Sequence, residues 1–252
     1  MSGHIDAHGH LGEYGQFRVP RGTAGDLIHR MDLMGVERLA ISAHAAFASD
    51  YRWGNGLAAE AAAQHPGRIF FYAVANPGYP LEIEAELERC AGRPGFVGVK
   101  LHPAVHACAL EAPAYAAAWR WAGRRRAPVL THFWKGDTHC GADNVRRVAG
   151  AHPEVQLVLA HLGGFDRGYQ ELPSLAAEFP NLWFDTSGSR HPRGIIEDLT
   201  AAGLAGRLLY GSDMPFIDPG SQLGKVLYAD VPEEAKRAIL RGNALRLFGW
   251  ED

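Results

Sequence analysis

Eight short apolar or β-branched runs recur along these 252 residues, and a longer helix-patterned stretch follows each of them. The runs are HIDAH (4–8), ERLAISA (37–43), RIFFYAVA (68–75), FVGVKLH (96–102), PVLTHF (128–133), VQLVLAH (155–161), NLWFDTS (181–187) and RLLYGSD (207–213). Stretches such as AGDLIHRMDLMG (24–35) and ADNVRRVAGAH (142–152) carry the helical spacing, and PEEAKRAILRGNALRLFG (232–249) is the last of them. Gly or Pro stands at most junctions, where helix ends and strand starts need them. Strand–helix–strand crossovers are right-handed, so eight such units without a linker close most economically as an α/β fold of the (β/α)₈ barrel type, whose usual length is about 250 residues. A doubly wound open sheet is the rival. It ordinarily shows a glycine-rich phosphate turn after the first strand, and here that turn reads HGHLGEYG, with histidines in place of the glycine fingerprint. The reading is one barrel domain over residues 1–252.

The composition narrows the partners. A 47% hydrophobic content supports a large core, and the formal net charge of −3 comes without any block of like charge. Nucleic acid and an anionic membrane surface are therefore not expected partners. No basic-then-apolar leader opens the sequence and no run of eighteen apolar residues occurs, so neither secretion nor a membrane span is expected. Cys90, Cys108 and Cys140 are widely spaced and form no CxxC. That usage fits a reducing, cytoplasmic setting and argues against a disulfide framework or a zinc knuckle.

The thirteen histidines are informative through their positions. In HIDAHGHLG (4–12), His8 and His10 are two residues apart on a strand. They share a side, with Cα atoms about 6.6 Å apart, close enough for two imidazoles to converge on one ion. Read in order, the strand ends give His8 and His10, His44, Asn76, Lys100 and His102, His132, His161, Asp185 and Asp213. A barrel of this type builds its functional face from those ends. Alternation puts Lys100 and His102 on the inward side of strand four, opposite Val97, Val99 and Leu101, and His132 with Leu130 on the inward side of strand five. Strand six is apolar on both faces, so alternation does not orient His161. A buried histidine satisfied by a hydrogen bond explains any one of these positions. Five strands ending this way at one rim point to a metal site: two histidines from strand one, one from strand five and the strand-eight carboxylate form an N₃O set suited to zinc or a similar divalent ion.

The motifs IDAHGH, GVKLHP, LTHF, LAHLGG, LYGSDMP and GNALRLFGW resemble the amidohydrolase superfamily, and within it the second amidohydrolase family, which includes aminocarboxymuconate-semialdehyde decarboxylase and several lactone and amide hydrolases. The resemblance implies one divalent metal ion, expected to be Zn, held by His8, His10, His132 and Asp213. It assigns His161 as the catalytic histidine, with Asp213 also handling the proton of the attacking water. The expected activity is hydrolysis of a small ester, lactone or amide. Non-oxidative decarboxylation of a small unsaturated or aromatic carboxylate is the alternative, and a non-catalytic ligand-binding barrel the reading from another class. The resemblance is also compatible with a homodimer.

Further positions lie near the same rim. Lys100 matches the strand position at which some branches carry a carboxylated lysine bridging two metals; here it is read as unmodified, meeting substrate or the ligands. His44, His102 and His191 are candidates to line the pocket. Trp53, Phe133 and Trp134 are candidates for an apolar lip, and Arg18, Arg52, Lys135 and Arg190 for meeting a substrate carboxylate.

Overall fold

The computed structural model describes residues 3–15, 18–19, 22–165, 167–188 and 190–251. Eight strands form where the short runs occur: β1 (His4–Leu11), β2 (Val36–Ala43), β3 (Ile69–Val74), β4 (Phe96–Leu101), β5 (Val129–Thr131), β6 (Leu157–Leu159), β7 (Leu182–Asp185) and β8 (Leu208–Leu209). They pair in parallel and in sequence order from β1 to β8. The last meets the first through Ala7 N–H donating to Tyr210 C=O at 2.9 Å, Asp213 N–H to His8 C=O at 2.8 Å, and His10 N–H to Met214 C=O at 2.7 Å. The result is the (β/α)₈ barrel that the alternation requires.

Alternation along the strands separates two packing layers. Leu39, Ile41, Phe71, Val99, Leu101, Val129, Leu157, Leu159 and Phe184 belong to the large cluster between the strands and the helices. Ile5, Ala7, Ala40, Tyr72, Leu130, Val158 and Leu209 fill the barrel interior. Phe248 and Trp250, whose rings lie 4.5 Å apart, pack under this interior cluster at the end of the chain. Gly98 of β4 has a reason to be glycine, because a Cβ there would run into the Pro128 carbonyl oxygen.

Local signals place the helices. Thr23 caps the helix Ala24–Met34 with a capping box, and Gly35, at φ 66°, ends it in the left-handed conformation, which costs glycine little. The chain departs from the sequence reading after β8. An additional helix, Pro219–Leu227, is started by the Asp218 side chain with Pro in its first turn, a recognised start signal. The closing helix is interrupted by a π turn at Ala238–Gly242. No described helix is long and apolar enough to cross a membrane.

Candidate functional site

The strand ends converge on a compact set of donors. One nitrogen each from His8 and His10 and one oxygen of Asp213 lie within 4.8 Å of one another. His10 Nε2 stands 3.1 Å from Asp213 Oδ1, and His8 Nε2 stands 3.7 Å from the same oxygen. Both histidines use their other nitrogen elsewhere: His8 Nδ1 donates to Asp185 Oδ2 at 2.9 Å, and His10 Nδ1 meets Ser42 Oγ at 3.1 Å. An outer partner of this kind fixes the tautomer and turns the free nitrogen toward a metal. The ammonium of Lys100 donates to His8 Nε2 at 2.9 Å, so that nitrogen carries a lone pair.

Asp185 organises the neighbouring wall. It accepts from His8 Nδ1 at 2.9 Å, from the Ser187 N–H at 2.9 Å and from the His161 N–H at 3.2 Å, and the Ser187 hydroxyl donates to it as well. Since that hydroxyl hydrogen is engaged by the carboxylate, Ser187 Oγ accepts from His161 Nδ1 at 2.8 Å. His161 therefore keeps its Nε2 as the basic nitrogen. Its ring packs 4.8 Å from His132 and 5.2 Å from His8.

His161 reaches this position by leaving the strand. Leu157 and Leu159 face the helices and Val158 faces the interior, so unbroken alternation would send residue 161 outward. Instead the chain turns at Ala160–Gly163, and His161 and Leu162 take left-handed angles, φ 67° and 46°. Asp213 likewise adopts φ 59°. Non-glycine residues held there carry strain that the surroundings must offset, and such residues cluster at functional sites.

Above the donors opens a cavity of about 900 Å³. His10, His44, Lys100, His102, His132, His161, His191 and Asp213 all line it. His132 is sandwiched between His102 and Trp134, with ring centroids 4.5 and 4.9 Å away, and its buried Nδ1 has no hydrogen-bond partner. It faces the same space without belonging to the three-donor group. His44 stacks on His10 at 4.5 Å and on Phe216 at 4.3 Å, while its Nδ1 donates to the Gly12 carbonyl at 2.9 Å.

Among the aromatic candidates only Trp134 lines the cavity. Phe133 is packed into the outer core and Trp53 lies exposed on the helix Tyr51–Gln64. The reason is alternation at Phe133, which follows an inward His132, and helix facing at Trp53. Arg190 is the one cation of its group on the cavity, its guanidinium 4.7 Å from the Phe165 ring; Arg18, Arg52 and Lys135 do not line it. The sequence reading missed Tyr14, Phe47, Phe165 and Phe216 on the walls, and Ser42, Ser187 and the hub role of Asp185 beneath them. The TS that follows Asp185 in WFDTS was the available signal for Ser187.

Burial sets the protonation states. It pulls His132 down to about 3 and His44 and His191 to about 4, and it holds His10, His102 and His161 well below the ordinary imidazole range. These rings are neutral near pH 7, as metal ligation and base catalysis require. Burial lowers Lys100 to about 8 against the pull of Asp213 and Asp185, and raises Asp213 to about 6 against His8 and Lys100. Asp185 behaves oppositely. Burial opposes its charge, yet the adjoining His8 and its donated hydrogen bonds keep it well below the usual carboxylate range.

The family model described as amidohydrolase matches residues 5–250. No curated protein matches the chain. Solved structures do: 2,6-dihydroxybenzoate decarboxylase from Rhizobium, at 20% identity and a TM-score of 0.76, covers 99% of each chain. A probable 2-pyrone-4,6-dicarboxylic acid hydrolase from Acinetobacter baumannii, at 20% identity and 0.73, covers 99% of this chain and 100% of its own. A dihydroxybenzoic acid decarboxylase from a Polaromonas species with bound manganese, at 19% identity and 0.75, covers 99% and 97%. At these identities the likeness speaks for the fold alone.

Proposed function

For a chain that belongs to the amidohydrolase family, we propose a metal-dependent hydrolase acting on a small ester, lactone or amide. The observation that carries this reading is the convergence of His8, His10 and Asp213 within 4.8 Å, with both histidine Nδ1 atoms already tied to Asp185 and Ser42. The donor set fits a divalent ion of borderline softness. One such ion, Zn in the first instance, would be held by His8, His10 and Asp213, with His132, whose Nδ1 is buried and unpaired, as the fourth ligand. When bound, it supplies a Lewis acid and brings the pKa of its water to about 7.

The remaining chemistry belongs to the chain's own residues. The Asp213 carboxylate receives a proton from the attacking water. His161, with its Nδ1 committed to Ser187, uses Nε2 to carry a proton to the leaving group. Lys100, unmodified and buried beside His8, supplies positive charge to a substrate oxygen. His44, His102 and His191 shape the walls with Trp134 and Phe216, and the ring of Phe165 carries Arg190 at the mouth.

The aromatic lining and Arg190 favour a second reading, non-oxidative decarboxylation of a flat aryl or unsaturated carboxylate, with His161 protonating the carbon that loses carbon dioxide. Of the three similar structures described above, two carry decarboxylase names and one a hydrolase name. Zinc- or manganese-loaded protein incubated separately with 2-pyrone-4,6-dicarboxylate and 2,6-dihydroxybenzoate distinguishes the two. Ring opening without carbon dioxide release supports hydrolysis. Carbon dioxide from the benzoate with the lactone untouched overturns it.

A further inference from the structure

Lys225 stands outside the donor set, on the helix Pro219–Leu227 that the strand pattern does not foreshadow. An ammonium has three N–H donors and no acceptor. Here all three are engaged: Thr186 C=O at 2.7 Å, Gly188 C=O at 2.9 Å and His191 Nδ1 at 3.0 Å. Because the ammonium donates to Nδ1, the hydrogen of His191 sits on Nε2, and Nε2 donates to the backbone carbonyl of His161 at 2.9 Å.

The two carbonyls flank Ser187, whose hydroxyl oxygen receives His161 Nδ1 at 2.8 Å. Lys225 thus reaches His161 along two arms, one to its backbone through His191 and one to its ring through the 186–188 segment. This is the residue whose left-handed φ of 67° redirects it from the helix side into the cavity. A left-handed non-glycine residue persists only where its surroundings over-determine it, and the two arms provide that constraint.

We propose that Lys225 is a positioning residue that holds His161 in its inward, Nδ1–H form by clamping His191 and the 186–188 segment. The proposal rests on His161 as the proton-carrying group of the proposed function, and Lys225 acts only through other residues. Removing its donors frees His191 to change tautomer. The lone pair of Nε2 then faces the His161 carbonyl, and the segment loses its hold on the His161 ring.

The test uses ¹⁵N-histidine-labelled, zinc-loaded protein and long-range ¹H–¹⁵N ring correlations, assigned with single histidine variants. Lys225→Met, which keeps the stem and removes the donors, shifts the ring nitrogens of both His191 and His161 and leaves those of His8 and His10 in place at unchanged zinc content. His161 resonances that superimpose on the wild-type ones overturn the proposal. Should Lys225→Met fail to fold, His191→Leu takes its place and displaces His161 in the same way. His191→Gln, which retains an N–H donor, returns the signals toward the wild-type positions; equal displacement by Leu and Gln overturns the arm through His191. The spectrum reads the ring whether or not a substrate turns over, so absence of turnover counts against the proposed function and not against the clamp.

Discussion

Leu130 of β5 and His132 just beyond its end are two residues apart and face the same barrel, yet Leu130 is packed among Ile5, Tyr72, Val158 and Leu209 while His132 lies between His102, Trp134 and His161. The same contrast holds around the ring. The lower interior is apolar, closed beneath by Phe248 and Trp250, and the Tyr72 hydroxyl within it donates to Ala7 C=O at 3.0 Å. The upper interior holds His8, Lys100, His161 and Asp185, all buried. Buried polar atoms are expensive unless paired. Asp185 is paired several times over, whereas His44 Nε2 and His132 Nδ1 have no partner. The lower layer holds the barrel together, and the upper layer keeps unmet hydrogen-bonding capacity beside a cavity.

The sharpest break in that division comes from two upper-layer histidines. His132→Ala loses metal, whereas His161→Ala keeps one equivalent and loses turnover by about 10²–10⁴, the contribution of a general acid–base group. Elemental analysis with steady-state kinetics reads both. Equal metal loss in the two variants makes His161 a ligand and removes the division of roles.

A lower-layer substitution should behave in the opposite sense. Leu130→Ala removes a fully buried side chain and costs about 2–5 kcal/mol of stability, read by urea unfolding. Metal content and turnover per folded molecule stay at the wild-type level. A change in metal affinity would show that the two layers are mechanically coupled.

Asp185→Asn probes the boundary between them. It leaves the space filled but weakens the acceptor that orients His8. An outer-partner change of this kind lowers metal affinity by about 10–100-fold, measured by competition with a chelator. Unchanged affinity would mean that packing alone orients His8.

The smallest expected effect is in pH. Histidines of the upper layer are held below their ordinary 6.5, His132 to about 3 and His44 to about 4. Between those values and 6.5 the unfolded chain binds protons that the folded chain refuses, so metal-free protein loses stability as pH falls through that window. Asp6 and Asp213, raised by burial to about 7 and about 6, bind protons in the folded state and offset part of the loss. Melting temperatures at pH 7 and pH 5 in chelator check the slope, which His132→Gln flattens and Leu130→Ala leaves unchanged.

Much of this is legible in the sequence. Strand and helix periods are local, so the eight runs fell within the observed strands or within a few residues of them, and alternation placed Lys100 and His132 on the cavity side. The pair of His8 and His10 needed only a two-residue repeat, and its partner Asp213 was read from the end of the last strand; His10 and Asp213 do meet, at 3.1 Å. Alternation stops informing where the chain leaves the strand. The inward turn of His161 depends on a left-handed φ and on bonds to Asp185, Ser187 and His191, which lie 24 to 30 residues onward. The tautomer of His8 depends on Asp185, 177 residues away. Lys225 sits on a helix outside the eightfold pattern, and its partners are brought to it only when the barrel closes. The order of residues along the chain suffices to bring His8, His10, Lys100 and His132 to the strand ends, because backbone periods of two and 3.6 are set by near neighbours. Tertiary structure decided where the side chains point and which nitrogen carries the proton, because both follow from hydrogen bonds between distant segments.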